Sequence, residues 1–186
     1  MGSLVFVTGG ARSGKSSFAE KAVKEVGVGK KIVYIATAIA FDDGMKDRIR
    51  RHRQQRPSEW KTIERYKDYK MMKTDPDFQE ADVILFDCLT VMITNNMLDV
   101  DIDYDHCTMD EVAKIEDAIK LEVETLLDVC AEKNLCIVSN ELGMGLVPAY
   151  KLGNYFRDIA GRMNQLVASR ADEVYFTVSG IPMKIK

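Results

Sequence analysis

Histidine is scarce in this chain, with only His52 and His106 among 186 residues, and cysteine (four), proline (four) and tryptophan (one) are nearly as rare. Two histidines, with Cys88, Cys107, Cys130 and Cys136 forming no C-x-x-C pair, do not supply the ligand spacing of a structural zinc site. The cysteines read as reduced thiols of a cytosolic protein, two of them inside apolar runs where a thiol behaves as a small hydrophobe. With 4 prolines, 12 glycines, 46% hydrophobic and 30% charged residues, the composition excludes disordered and fibrous classes. Charge of one sign is also lacking. The 26 Lys+Arg against 29 Asp+Glu leave a net charge of -3, so no global field favours nucleic acid or an anionic membrane as partner. Nor is there a long apolar run: Leu4 to Val7 is too short for a signal segment or a span, and Phe6 stands where a myristoylation motif needs Ser or Thr. A cytoplasmic location and one domain over residues 1–186 are the expectations.

Five short apolar runs are present instead: LVFVT (4–8), IVYIA (32–36), VILFD (83–87), LCIVS (135–139) and VYFTV (174–178). Continuous rather than alternating hydrophobicity suits strands covered on both faces, hence a parallel sheet. Helical stripes alternate with them. Phe18, Ala19, Ala22, Val23 and Val26 share one face, as do Val112, Ile115, Ile119, Leu126 and Cys130, and then Phe156, Ile159, Ala160, Met163 and Val167 in a helix from about Tyr155 to Ala171. Thr108 followed by Glu111 predicts a capping box for the second of these. Asp99 to Cys107 is acidic and aperiodic, which predicts an exposed loop, and SGIP predicts a closing hairpin. The expected fold class is α/β, a doubly wound, mainly parallel sheet with a C-terminal hairpin, whose ligand site lies at the carboxyl ends of the strands.

GGARSGKS, residues 9–16, matches the phosphate-binding pattern through Gly9, Gly14, Lys15 and Ser16, between a strand and an amphipathic helix, so the expected α/β sheet is P-loop NTPase-like (RecA-like). The backbone N–H groups of residues 10–16 can ring a phosphate, Lys15 meets its charge, and the Ser16 hydroxyl can ligate Mg2+. Asp87, closing the buried run VILFDC, is the candidate carboxylate for the same ion. A second window, DDGMKDRIRRHRQQRP, sets Arg48, Arg50, Arg51, Arg53 and Arg56 around His52. As composition it reads as a solvated face or a nonspecific polyanion patch. As chemistry, neighbouring cations disfavour imidazolium and leave a nitrogen lone pair able to attack phosphorus. His106 lacks those neighbours and reads as a surface residue.

GGARSGKS, YIATA followed by DD-M--RI--H---RP--W-T-E, the strand ending DCLT, SNELGMGLVP, and FRDIAGRMNQ through SGIPMKIK together resemble the bifunctional adenosylcobinamide kinase/adenosylcobinamide-phosphate guanylyltransferase family, in order from Val7 to Lys186. The resemblance implies phosphorylation of adenosylcobinamide by ATP or GTP, then transfer of GMP from GTP to adenosylcobinamide phosphate with release of pyrophosphate. It implies a guanylylated histidine at the position of His52, with Lys15 as the other catalytic residue. Nucleotide contacts then fall on Gly9, Gly10, Ala11, Arg12, Ser13, Gly14, Lys15 and Ser16, on Ala36, Thr37 and Ala38, on Arg53, Gln54, Gln55 and Arg56, and on Glu64 and Asp87, with Mg2+ at Ser16 and Asp87. It also implies a homotrimer. Asp87 stands where several relatives carry Glu, and Ala38 where Ser is frequent. Two rival readings use the same residues: a P-loop kinase of another small alcohol, with His52 only a phosphate contact, and a nucleotide-dependent binding module using the Arg48–Arg56 patch. A covalent GMP adduct separates the first reading from both.

Overall fold

A computed structural model describes residues 2–39, 57–145 and 147–186. The chain runs β1 (Leu4–Gly9), α1 (Lys15–Val26), β2 (Ile32–Ala36), β3 (Lys61–Glu64), a 3-10 turn (Tyr69–Thr74), α2 (Pro76–Glu80), β4 (Val83–Asp87), α3 (Leu89–Leu98), α4 (Met109–Val129), β5 (Asn134–Asn140), α5 (Lys151–Arg170), β6 (Glu173–Val178) and β7 (Ile181–Lys184). The sheet order is β3-β2-β4-β5-β1-β6-β7. Every pairing is parallel except β6 with β7. This is the expected α/β doubly wound P-loop architecture, with the P-loop strand β1 and the Asp87 strand β4 on either side of β5.

The five apolar runs are the five central strands, and their burial explains their composition. Phe6, Ile35, Ile84, Phe86 and Ile137 enter the larger core under α3, α4 and α5, while Val7, Tyr34, Leu85, Cys136 and Val138 face the smaller core that α1 covers with Ala19 and Val23. Sheet burial on both faces removes the need for polar alternation. The capping box forms as expected: the Thr108 hydroxyl accepts from the Glu111 N–H while Glu111 accepts from the Thr108 N–H. The closing hairpin also forms, through Ser179 (φ 51°) and Gly180 (φ 84°), two consecutive left-handed residues that match the twist of the strands they join.

Four details differ from the sequence reading. Val26 is 48% exposed, because α1 ends there and Gly27 turns the chain before the stripe reaches the sheet again. The last helix begins at Lys151 rather than near Tyr155, adding a turn before its buried stripe. An edge strand, β3, pairs with β2 although KTIE buries only Ile63. The acidic stretch after Leu98 carries no helix or strand, yet Tyr104 is buried there and donates its hydroxyl to the Met97 carbonyl at 2.6 Å.

Candidate active site

The parallel register brings the carboxyl ends of six strands to one edge. Gly9 lies opposite Asn140 and Thr177, Asp87 opposite Val138 and Ala36, and Ala36 opposite Glu64. Loops leaving this edge therefore share one space, which is where an open α/β sheet binds its ligand.

The P-loop leaves β1 at Gly9. A Cβ there would stand 2.5 Å from the Thr177 carbonyl oxygen and 2.7 Å from Ser13 Oγ, so only glycine lets β1 pass beneath the loop and beside β6. Gly14 adopts φ +91° and a Cβ on it would meet the Gly180 Cα at 3.0 Å. The hairpin turn thus closes against the P-loop, and the Gly180 N–H donates to the Ser13 carbonyl at 2.8 Å. Arg12 is also left-handed (φ 60°) and exposed, as is Ala11, while Gly10 and Ser16 are half-buried and Ser13 is buried. α1 starts at Lys15 with no side-chain cap and no acidic residue in its first turn. Its first N–H groups, which no helical carbonyl can satisfy, and the positive end of its dipole are left for an anion.

Lys15 is 8% exposed and its ammonium donates to the Gly10 carbonyl at 3.1 Å, folding back into the loop. Burial lowers its pKa, an effect opposed by the nearby Cys88 and Asp87. Asp87 is half-buried at the end of β4, and the Tyr34 hydroxyl donates to its Oδ2 at 2.7 Å. Lys15 and Asp87 are therefore electrostatic neighbours, as a phosphate-binding lysine and a cation-holding carboxylate must be. Ser16 and Asp87 offer hard oxygen donors, and no group of three or more His, Cys, Asp or Glu among the described residues could hold a metal unaided. That donor set fits a small divalent cation that keeps its waters and substrate phosphates as ligands.

Thr37 follows β2 and is 1% exposed. Its hydroxyl donates to the Cys88 carbonyl and accepts from the Cys88 N–H, both at 2.9 Å; its own N–H donates to the Asp87 carbonyl at 3.2 Å, and its carbonyl accepts from Asn95 Nδ2 at 2.6 Å. Thr37 thus ties the end of β2 to the end of β4 and to α3. Ala36 and Ala38 flank it half-buried, and Glu64 is exposed at the end of β3. The Cys88 thiol contacts Thr90 Oγ1 at 3.2 Å, and burial, with the charge of Asp87, pushes its pKa up to about 11. It stays a neutral thiol at neutral pH, consistent with its reading as a small hydrophobe.

Behind the P-loop, Asn140 Nδ2 donates to Thr90 Oγ1 (3.0 Å), Asn164 Nδ2 donates to the Asn140 carbonyl (3.1 Å), and Ser139 Oγ donates to Asn164 Oδ1 (2.7 Å). These bonds fasten β5, α3 and α5 together at the carboxyl edge. These residues and Tyr34 fall in the family segments YIATA, DCLT, SNELGMGLVP and FRDIAGRMNQ, but their bonds to one another and that of Tyr34 to Asp87 carried no signal in the sequence, since each depends on strand register. His106 lies on the surface beside Asp103, at 2.7 Å, as expected. His52, Arg53, Gln54, Gln55 and Arg56 lie outside the described residues.

Comparison with known proteins agrees with the geometry. A protein-family model described as cobinamide kinase / cobinamide phosphate guanyltransferase matches residues 5–185. The chain is 43% identical over 185 residues to the bifunctional adenosylcobalamin biosynthesis protein CobU of Escherichia coli (strain K12), covering 98% of this chain and 99% of that protein. It is 42% identical to the CobU of Salmonella typhimurium over 185 residues, with the same coverage. The protein CobP of Pseudomonas aeruginosa, of the same description, is 38% identical over 183 residues, covering 97% of this chain and 95% of that one.

Proposed function

The chain belongs to the cobinamide kinase / cobinamide phosphate guanyltransferase family, and on that premise we propose that one P-loop site serves two transfers in cobalamin biosynthesis. In the first, the hydroxyl of the aminopropanol arm of adenosylcobinamide takes the γ-phosphoryl group of ATP or GTP. In the second, adenosylcobinamide phosphate takes GMP from GTP, giving adenosylcobinamide-GDP and pyrophosphate.

The observation that carries this reading is Lys15 buried in the P-loop within electrostatic reach of Asp87, at the edge where six parallel strands end. Backbone N–H groups of residues 10–16 bind the polyphosphate, and Lys15 exchanges the Gly10 carbonyl for a phosphate oxygen. Because the lysine is already desolvated and held, little reorganisation is needed when charge shifts during transfer. The Ser16 hydroxyl and the Asp87 carboxylate would hold Mg2+, which would supply neutralisation of phosphate charge. Thr37 fixes the backbone at Asp87, while Ala36, Ala38 and Glu64 border the space left for the nucleotide.

In this reading His52, at the position that matches the family's guanylylated histidine, is the nucleophile of the second transfer, and the arginines beside it would steady charge on the phosphoryl oxygens. An imidazole nitrogen attacks the α-phosphorus of GTP, forming a P–N bond as the bond to pyrophosphate breaks. A phosphate oxygen of the acceptor then attacks the same phosphorus, the P–N bond breaks, and the imidazole is restored. Attack at the γ-phosphorus and attack at the α-phosphorus require two placements of the reacting groups relative to one phosphate grip. The protein acts as a cytoplasmic homotrimer in this reading, and no described helix is long and apolar enough to cross a membrane.

Intact-protein mass after incubation with GTP and Mg2+, beside His52→Ala, tests the assignment. A GMP-sized, acid-labile adduct on the wild type alone is expected, as is label transfer from γ-labelled ATP to adenosylcobinamide by both proteins. Absence of the adduct while GTP binds would leave a kinase alone, with His52 reduced to a phosphate contact.

A further inference from the structure

We propose that Tyr34 is a positioning residue for the cation site: its hydroxyl holds one oxygen of the Asp87 carboxylate so that the other faces the P-loop. The proposal rests on the reading of Asp87 as the cation-holding carboxylate.

The register makes the contact possible. Tyr34 pairs with Leu85 and Ala36 with Asp87, so Tyr34 and Asp87 point to the same face of the sheet on adjacent strands, two residues apart along the strand direction. A phenol is long enough to span that diagonal, and the Tyr34 hydroxyl donates to Asp87 Oδ2 at 2.7 Å. Tyr34 is 2% exposed and lies in the smaller core together with Ala19, Leu85 and Cys88, so the direction of the hydroxyl is set by the core rather than by solvent. Asp87 is half-buried and in reach of the Lys15 charge. An aspartate has only two side-chain torsions, and fixing one oxygen fixes the other. Phenylalanine has high strand propensity and would fill the same volume. The hydroxyl is therefore unnecessary for packing, and it donates to the carboxylate. Partners one step behind a metal ligand typically tune affinity or activity by about 10–100-fold.

Binding of a fluorescent GTP analogue, titrated with Mg2+, reads this directly and needs no turnover. Four proteins are compared: wild type, Tyr34→Phe, Asp87→Asn and the double variant. For Tyr34→Phe the half-saturating Mg2+ concentration should rise about tenfold, with nucleotide affinity in EDTA unchanged and the melting temperature within about 4 °C of wild type. The double variant should be no worse than Asp87→Asn, because the hydroxyl acts through the carboxylate. A wild-type Mg2+ dependence in Tyr34→Phe overturns the proposal. So does an equal loss with and without Mg2+, or a double variant that falls below Asp87→Asn by the full effect of Tyr34→Phe. If Asp87→Asn itself matches wild type, the reading of Asp87 fails and the proposal falls with it.

Discussion

Thr37→Val exchanges one β-branched residue for another of the same shape and removes only the hydroxyl that bridges the Cys88 backbone. Two bonds disappear, each 2.9 Å long. The Cys88 carbonyl keeps its bond from the Met92 N–H at 3.1 Å, so its loss is that of an ordinary hydrogen bond, about 1 kcal/mol. The Cys88 N–H loses the acceptor it has here in a residue 8% exposed, at about 1–3 kcal/mol for an unpaired buried donor. The sum is about 2–4 kcal/mol, a large share of a reserve of about 5–15 kcal/mol. Thr37→Ser keeps the hydroxyl and gives up one methyl group, at about 1 kcal/mol. Urea unfolding of both variants without nucleotide, which would otherwise stabilise the folded state by mass action, gives the comparison if the slopes agree. Because the bridge fixes the backbone that carries Asp87, kinase activity should fall more in Thr37→Val than in Thr37→Ser. If the valine variant is as stable as the serine variant, the hydroxyl does not bear the bridge and the reasoning is wrong.

Lys15→Met should lower kinase turnover by about 100-fold or more, by removing a desolvated positive charge from the site of transfer, measured as steady-state phosphoryl transfer. It should also alter the pH dependence of stability. The folded pKa of Lys15 lies below its ordinary value of 10.5, so between the two the unfolded state binds more protons and stability rises with pH; urea midpoints across the alkaline range should show wild type gaining on Lys15→Met. Thr108→Ala should cost about 1 kcal/mol by opening the capping box of α4. The Thr108 N–H, which alanine keeps, and then the Thr108 hydroxyl, which it removes, hold the Glu111 pKa below its ordinary value, so the hydroxyl's share of the Glu111 contribution is present above that value and is lost as pH falls through the lowered one. The gap between wild type and Thr108→Ala in urea midpoint should therefore narrow in acid.

Legibility in the sequence followed the physics of each element. Strands buried on both faces, such as VILFD and LCIVS, stand out because nothing polar interrupts them. β3 does not, since an edge strand with one buried side chain has neither a run nor a period. α3 escaped for the opposite reason: Leu89, Thr90, Met92, Ile93, Asn95 and Met97 are all buried, so the helix is enclosed on most sides and shows no amphipathic stripe. The loop from Gly9 through Gly14 and the helix start at Lys15 were legible because the pattern that sets them spans a few consecutive residues. Tyr34 to Asp87, Thr37 to Cys88 and Asn164 to Asn140 were not, because each joins residues whose proximity exists only after the strands have aligned.

The hairpin turn that leans on the P-loop bears on how the protein matures during synthesis. β1 is made early, yet both of its neighbours, β5 and β6, begin at residue 134 or later, and the Ser13 carbonyl receives its bond from Gly180. Non-local pairings of this kind form late, after the entropy of closing long loops has been met. A ribosome-bound chain therefore carries a complete P-loop sequence before the hairpin turn that meets Gly14 exists, and the loop gains that support only after residue 180 has been made.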